Sequence, residues 1–468
     1  MKHVKINRIM IAAPSSGCGK TTITCGLLQA LVNRRVRSVS FKCGPDYIDP
    51  MFHRSVIGVP TGNLDTFFTS YSHMRYLFAT ASKQTEIAVL EGVMGYYDGQ
   101  TVSSTDASSY DIAKQLQTPV ILVVNGKGAS LSIVPLIQGF LQFRIPSMIK
   151  GVILNQVSEA IYPQLKEKIE QELQIPVLGY LPFDKSMGLQ SRHLGLVMPE
   201  ELGNLQRQLQ EIAAKMEKTI DISKIIRIAN EAPELIYEKP EYLQNVRKQK
   251  IRIAVARDSA FCFYYQESMQ LFEKLGVTLV PFSPLREEIL PQDIQGLLLG
   301  GGYPELHAKR LANNVSMKKS IIKALSSDMP CIAECGGFLY LQKTLVDDKK
   351  NSYPMVGFMS GESQRAAKRP GFGYVNVTIR QESVLGVPGV RIPAHEFHYW
   401  ESSDPGIQAV AVKPDGVRKW DCIQIQNKTI AGFPHFYLEG NPKAAAFFVE
   451  QCVQYGIAQK NRSCNHIE

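Results

Sequence analysis

"IAAPSSGCGKTT", residues 11–22, closes an apolar run with a glycine-rich turn and opens the helical pattern "TTITCGLLQALVN". A phosphate-binding loop needs that order. Its backbone N–H groups must curl around an anion while the helix N-terminus behind them faces the same charge. Gly17 and Gly19 suit such a turn, Lys20 is placed to reach β and γ phosphates, and the Thr21 hydroxyl can serve Mg2+. Pro14 stands where the G-x-x-x-x-G-K-[ST] pattern has its first glycine, so the match is partial. A strand before the loop and a helix after it nevertheless give the setting that nucleotide binding requires.

Outward from this loop, short apolar runs alternate with longer amphipathic ones, the pattern of a parallel sheet with crossover helices. "NRIMIAAP", "RSVSFKCG", "EIAVLEG", "TPVILVVNG", "KGVILNQV" and "IPVLGYLP" are the expected strands, and "YPQLKEKIEQEL" has helical spacing. These predict an α/β, doubly wound P-loop domain over residues 1–235. A charged, proline-containing stretch, 236–250, reads as a linker. A second α/β succession over 251–457 starts at "IRIAVARD", and a polar tail is expected from 458 to 468.

The chain has 468 residues, enough for two domains with cores of their own. It is 44% hydrophobic and 20% charged, with no uninterrupted apolar stretch near the ~20 residues of a membrane span. The expectation is a protein with no membrane partner, no export signal and a cytoplasmic location. Nine scattered cysteines lack C-x-x-C pairs, which suits a reducing compartment. The formal charge is +9, yet the Lys and Arg are dispersed, so no nucleic acid is expected as partner.

Two other places carry chemistry. "IAVLEG" puts Glu91 at a strand end, where a second metal ligand belongs, and "GVMGYYDG" with Asp98 suggests backbone folded close to a ligand. "KCGPDYIDP" gathers Lys42, Asp46 and Asp49. In the second half, "CIAECGGF" is a strand-to-helix elbow exposing Cys335. The helix N-terminus there favours thiolate, and the following N–H can hold an oxyanion. "LLLGGGYPE", 297–305, can supply the other donor. A cysteine nucleophile needs a base, and His395, His398 and His435 are all candidates by type and position.

With these motifs in view, the chain resembles the cobyrinate a,c-diamide synthase family of glutamine-dependent amidotransferases in corrinoid biosynthesis. The likeness runs from about residue 8 to 455, through "SSGCGKTT", "KCGPDYIDP", "LEGVMGYYDG", "SRHLGLVMP", "AVARDSAFCFYY", "LLLGGGYPE", "AECGGFLYL" and "AHEFHYW" in order. The resemblance implies a synthetase domain similar to dethiobiotin synthetase, followed by a class I glutamine amidotransferase-like α/β domain. It implies that Gly17, Gly19, Lys20, Thr21 and Thr22 bind ATP, that Asn155 reads adenine, and that Thr21, Asp46 and Glu91 hold Mg2+. Asp46 and Glu91 would also lie at the reacting carboxylate, with Tyr47 and Asp98 facing the substrate. Cys335 becomes the glutaminase nucleophile, His435 its activating residue, and the N–H groups near Gly302 and Gly336 the oxyanion donors. Tyr437 stands where many class I enzymes carry the third, acidic member two places after the histidine, so the group orienting His435 lies elsewhere. Asn125 occupies a place where relatives often have aspartate.

The implied substrates are ATP, L-glutamine and cobyrinate or a related tetrapyrrole polycarboxylate; a homodimer is compatible with all of this. The implied reaction amidates the a and c acetate side chains through an acyl phosphate. Alternatives are the same amidation of nickel sirohydrochlorin, or a non-synthetase P-loop ATPase carrying an inert glutaminase-like domain.

Overall fold

The computed structural model describes residues 1–184, 199–243, 250–367 and 371–464. The motif "SRHLGLVMP" therefore lies outside the described residues but for Pro199. The chain forms two compact units, Met1–Pro240 and Glu241–Glu468.

The first unit is built on a seven-stranded, wholly parallel sheet. Its strands run in the spatial order Thr61–Leu64, Ser38–Cys43, Ile87–Glu91, Arg8–Ala12, Val120–Asn125, Ile149–Asn155, Val177–Leu181. Both faces are covered, so its strands read as continuous apolar runs. Ile9 and Ile11 enter one core while Met10 and Ala12 enter the other. The edge strand Thr61–Leu64, sequence TGNL, is missed by apolar pattern because Gly62 and Asn63 are poor strand formers. Two short segments also escape it. Lys2–Val4 pairs antiparallel with Leu235–Tyr237, so the first residues of the expected linker are sheet. The pairing is made by backbone groups, which leave no side-chain periodicity.

In the second unit a six-stranded sheet runs Val277–Phe282, Ile251–Ala256, Gly296–Leu299, Cys331–Glu334, Thr429–Gly432, Gln424–Gln426, parallel except for the last strand. A five-stranded antiparallel sheet, ordered Lys419–Cys422, Ala409–Val412, Phe372–Ile379, Arg391–Phe397, His435–Phe436, shares a core with it. Val375, Val377 and Ile379 alternate inward from that sheet onto Ile251, Ile253 and Val255. The final helix, Pro442–Cys464, continues past residue 457, so the expected polar tail is helical as far as Cys464. "AQK" at 458–460 contains good helix formers and no breaker, so polarity alone did not end the helix. Among the described residues no helix is long and apolar enough to cross a membrane.

Candidate functional site

In the first unit the phosphate loop leaves strand Arg8–Ala12 and enters helix Lys20–Asn33. Gly17 and Gly19 adopt φ of 79° and 97°, a region a side chain would strain. Pro14 is accommodated from the other side. A Cβ on Gly95 would lie 2.5 Å from the Pro14 carbonyl oxygen, so it is Gly95 that gives the loop its room. Lys20 is buried and donates from Nζ to the carbonyls of Ser15 (3.0 Å) and Met94 (2.5 Å). Burial, then the neighbouring Lys42 charge, lowers its pKa. Thr22 is half-buried in the helix's first turn. Asp98 Oδ2 accepts from the Gly95 N–H at 2.8 Å and so fixes the turn that packs on the loop.

The Thr21 hydroxyl donates to Glu91 Oε1 at 2.7 Å, joining loop to neighbouring strand. Glu91 is fully buried, and Lys42, in register with it on the adjacent strand, donates to the same oxygen at 2.8 Å. Lys42 also donates to Asp49 Oδ2 at 2.5 Å and stands 4.0 Å from Asp46 Oδ2. Asp46 itself is half-buried and accepts from the Ile48 N–H through Oδ1, with half-buried Tyr47 beside it. Sequence reasoning missed His53. The helix Ile48–Phe52 runs into a π-helical turn, His53–Ile57, that carries this wholly buried ring to 3.4 Å from Glu91 Oε2. Ser40 Oγ lies 3.1 Å from its other nitrogen. No local spacing in the sequence announces the contact.

These charges answer one another. Burial alone would raise the Glu91 pKa, but Lys42 and His53 outweigh it and hold the carboxylate well below its usual range. Burial alone would likewise lower Lys42, and Asp49 and Glu91 reverse that, holding it well above the ordinary value. Asp49 is raised, by burial and then by the Glu91 charge. Asn155, at the end of its strand, donates from Nδ2 to the Cys18 carbonyl at 2.9 Å. A Cβ on Gly19 would meet that amide at 2.1 Å. The side chain expected to read adenine thus braces the phosphate loop. Asn125 Oδ1 is engaged locally, accepting from the Lys127 N–H.

The second unit builds its site where three adjacent parallel strands end side by side, the usual place for a ligand in an open α/β sheet. Gly296–Leu299 leads into Gly300–Gly302, Cys331–Glu334 into Cys335, and Thr429–Gly432, by way of Phe433 and Pro434, into His435. Cys335 sits at φ 46°, ψ −101°, a strained elbow before helix Gly336–Leu341, and its N–H donates to the Gly432 carbonyl at 2.7 Å. The Gly336 N–H is directed at the Cys335 sulfur. A Cβ at Gly336 would lie 3.0 Å from the Gly302 nitrogen, so the two expected oxyanion donors are brought together. Gly302 admits no side chain: a Cβ would fall 2.2 Å from the Ala260 carbonyl oxygen.

The surroundings of Cys335 oppose the thiolate expected from the helix N-terminus. Burial, followed by the nearby carboxyl of Glu305, pushes the Cys335 thiol well above its ordinary pKa and outweighs the Gly336 N–H.

The three candidate histidines separate. His398 is committed to structure, with Nδ1 2.6 Å from the Trp400 carbonyl and its ring stacked 3.9 Å from Phe433. His395 is the cross-strand partner of His435 and lies at the edges of Phe372 and Tyr374. His435 packs over the glycine loop, where a Cβ on Gly301 would be 2.3 Å from its Cε1. Burial lowers His435 and His395 each to about 3. Tyr437 is buried against Tyr265, while the carboxylate beside His435 is that of Glu334, with Oε2 4.0 Å from Nδ1. The eight described cysteines are free; Cys25, Cys43, Cys331, Cys422 and Cys452 are buried, as small apolar side chains would be.

Two family descriptions match the chain: a CobQ/CobB/MinD/ParA nucleotide binding domain over residues 9–196, and a CobB/CobQ-like glutamine amidotransferase domain over 252–443. Among similar curated proteins, the cobyrinate a,c-diamide synthase of Caldanaerobacter subterraneus subsp. tengcongensis is 39% identical over 450 residues, spanning 96% of this chain and 98% of the relative. That of Priestia megaterium is 37% identical, covering 95% and 97%. That of Salmonella typhimurium is 38% identical, covering 93% and 95%.

Proposed function

The chain belongs to the cobyrinate a,c-diamide synthase family, and on that premise we propose that it amidates the a and c acetate side chains of cobyrinate, in cobalamin biosynthesis, through an acyl phosphate. The observation that carries this reading is the pairing, in one chain, of a phosphate loop tied to a buried carboxylate and lysine with a cysteine elbow flanked by two glycine N–H donors. ATP supplies the phosphoryl group, L-glutamine the ammonia.

Phosphoryl transfer is governed by positioning and charge. The Lys20 ammonium, now on loop carbonyls, turns to the β and γ phosphates when nucleotide fills the loop, and the N–H groups around Gly17 and Gly19 hold the phosphates in line. The Thr21 hydroxyl and Glu91 carboxylate form an oxygen donor pair that suits Mg2+, with Asp46 on the open side. Few protein ligands are needed, since phosphates and waters complete such a shell. Mg2+ bound there would neutralise charge on the transferring phosphoryl group. Tyr47 and Asp98 face the substrate, and the Lys42 ammonium, which now lies on Glu91 and Asp49, keeps Glu91 ionised close to an anionic substrate.

At the other site Cys335 attacks the glutamine amide carbon while its proton passes to His435. The N–H groups of Gly302 and Gly336 hold the oxyanion, the tetrahedral intermediate collapses to a thioester as the C–N bond breaks and ammonia leaves with the proton from His435, and water hydrolyses the thioester to glutamate and free thiol. Ammonia then displaces phosphate from the acyl phosphate to give the primary amide.

Oxygen-18 in the substrate carboxylates tests the central step. One labelled oxygen should pass into inorganic phosphate for each amide formed. Unlabelled phosphate would exclude carboxylate activation. Product masses with cobyrinate and with nickel sirohydrochlorin offered separately decide the macrocycle.

A further inference from the structure

Glu334 is the last residue of its strand and immediately precedes the elbow cysteine. Its side chain turns toward the strand that carries the histidine. Its Oε1 accepts from the Phe436 N–H at 2.9 Å, the residue next to His435, and its Oε2 lies 4.0 Å from His435 Nδ1. It is largely buried, and it also lines a small cavity, about 20 Å³, with Tyr264, Gly300 and Phe436. That is room for about one water able to bridge the carboxylate to a neighbour. Position 437, two beyond the histidine, is occupied by a tyrosine packed on Tyr265.

We propose that Glu334 is the positioning residue for His435, taking from the adjoining strand the place of the acidic third member that position 437 does not supply. The inference rests on the reading of His435 as the base for Cys335. One carboxylate oxygen, clamped by the Phe436 N–H, fixes where the other points. A proton on His435 Nδ1 aimed at Oε2 makes Nε2 the nitrogen that can accept the thiol proton. When the Cys335 proton moves to Nε2, the S–C bond forms, the carbonyl π pair moves onto oxygen, and the imidazolium lies between thiolate and carboxylate. The other titratable groups around His435 are His395 across the strand pair and His398 in the turn beyond, and both oppose its protonation. The Glu334 carboxyl, 4.0 Å from Nδ1, is the acidic group at hand to orient the ring. Burial pushes the Glu334 carboxyl up to about 8, opposed by the Phe436 N–H, so its charge is responsive to its surroundings.

Glu334→Gln separates this role from a structural one, because the amide oxygen can still accept from the Phe436 N–H. In the full chain, kcat for glutamine hydrolysis should fall about 100-fold, less than in a tightly bonded triad because the contact is longer. KM for glutamine should change less than about 2-fold, ammonia-driven amidation should be untouched, and the acid limb of the kcat profile should move to lower pH. Glu334→Ala should lose stability as well. A Glu334→Gln enzyme with parental kcat and pH profile would overturn the proposal. Nitrogen-15 shifts of the parent's histidines give a check that needs no variant: His435 should carry its proton on Nδ1, and a proton on Nε2 would overturn the proposal too. If His435→Ala leaves Cys335 alkylation unchanged, the reading of the base is what fails. If it slows alkylation while Glu334→Gln does not alter hydrolysis, only the present inference fails.

Discussion

The two sites solve opposite electrostatic problems. Around Glu91 the first unit buries full charges and lets them compensate: Lys42 lies between Glu91 and Asp49, the Thr21 hydroxyl shares Glu91 Oε1 with Lys42, and His53 faces Oε2. Around Cys335 the second unit buries titratable groups and pushes each toward its neutral form, the thiol upward, Glu334 up to about 8, His435 and His395 down to about 3. The difference follows the chemistry each site is proposed to run. A phosphoryl group arrives highly charged, so the charges that meet it must be fixed beforehand. A neutral glutamine amide does not, and a site that develops thiolate and imidazolium only during attack leaves the thiol less open to adventitious oxidation.

Replacing Cys335 by Ala cuts deepest into the contrast. Glutamine-dependent amidation should fall by at least about 10⁴-fold, the scale of losing a nucleophile, while free ammonia still supports synthesis. Loss of both activities in a folded variant would mean that the sites are not separable.

Lys20→Ala attacks the other side. Amidation should drop about 100-fold or more, roughly 3 kcal/mol at the barrier, with glutamine hydrolysis retained. A purely proportional loss of ATP affinity, with kcat intact, would place Lys20 in binding alone. Gly302→Ala should lower glutamine hydrolysis by a similar or somewhat smaller factor, since the backbone carrying one oxyanion donor must move away from Ala260. An unchanged rate would remove Gly302 from the oxyanion site.

Acid sharpens the comparison. His395 and His435 are neutral in the fold with pKa about 3, against about 6.5 unfolded, so the unfolded chain takes up protons first as pH falls. Their contribution is whole above about pH 6.5 and should shrink by about 2 kcal/mol per histidine at pH 5. Glu91, depressed in the fold, is lost only below about 4.5, the ordinary carboxylate range. Glu334, held up at about 8, works against the two histidines over the same range, because the fold takes up its proton before the unfolded chain does. The histidine contribution is therefore read by difference: between pH 7 and pH 5 His395→Phe should lose about 2 kcal/mol less stability than the parent, and an equal loss would contradict this.

The smallest expected effect is at Asn155. Its amide bond to the Cys18 carbonyl is worth about 1 kcal/mol, so Asn155→Ala should raise KM for ATP several-fold. If the side chain only braces the loop, discrimination between ATP and GTP is unaltered; if it also reads adenine, discrimination falls.

Much of this architecture is legible in the order of residues alone. Apolar runs and glycine turns mark the buried parallel strands because a sheet covered on both faces must be apolar throughout, and the glycines at 17, 19 and 302 stand where backbone must turn or approach closely. Cys335 is legible too, since a strand, an elbow residue and two glycines fall within one short segment. Residues whose role depends on segments far apart in the chain are not legible. Nothing near His53 tells that a π-helical turn aims it at Glu91, and nothing near Glu334 tells that it meets the strand of His435, about a hundred residues on. The choice among three histidines likewise depends on strand register, which stacks His398 on Phe433 and lays His435 over Gly301. By itself the sequence determined the phosphate loop, the elbow and the two α/β units, because each is written in local backbone demands. Only the tertiary structure decided which charges neutralise one another and what surrounds each histidine, because electrostatic partners are set by distance in space and burial, and neither has a period along the chain.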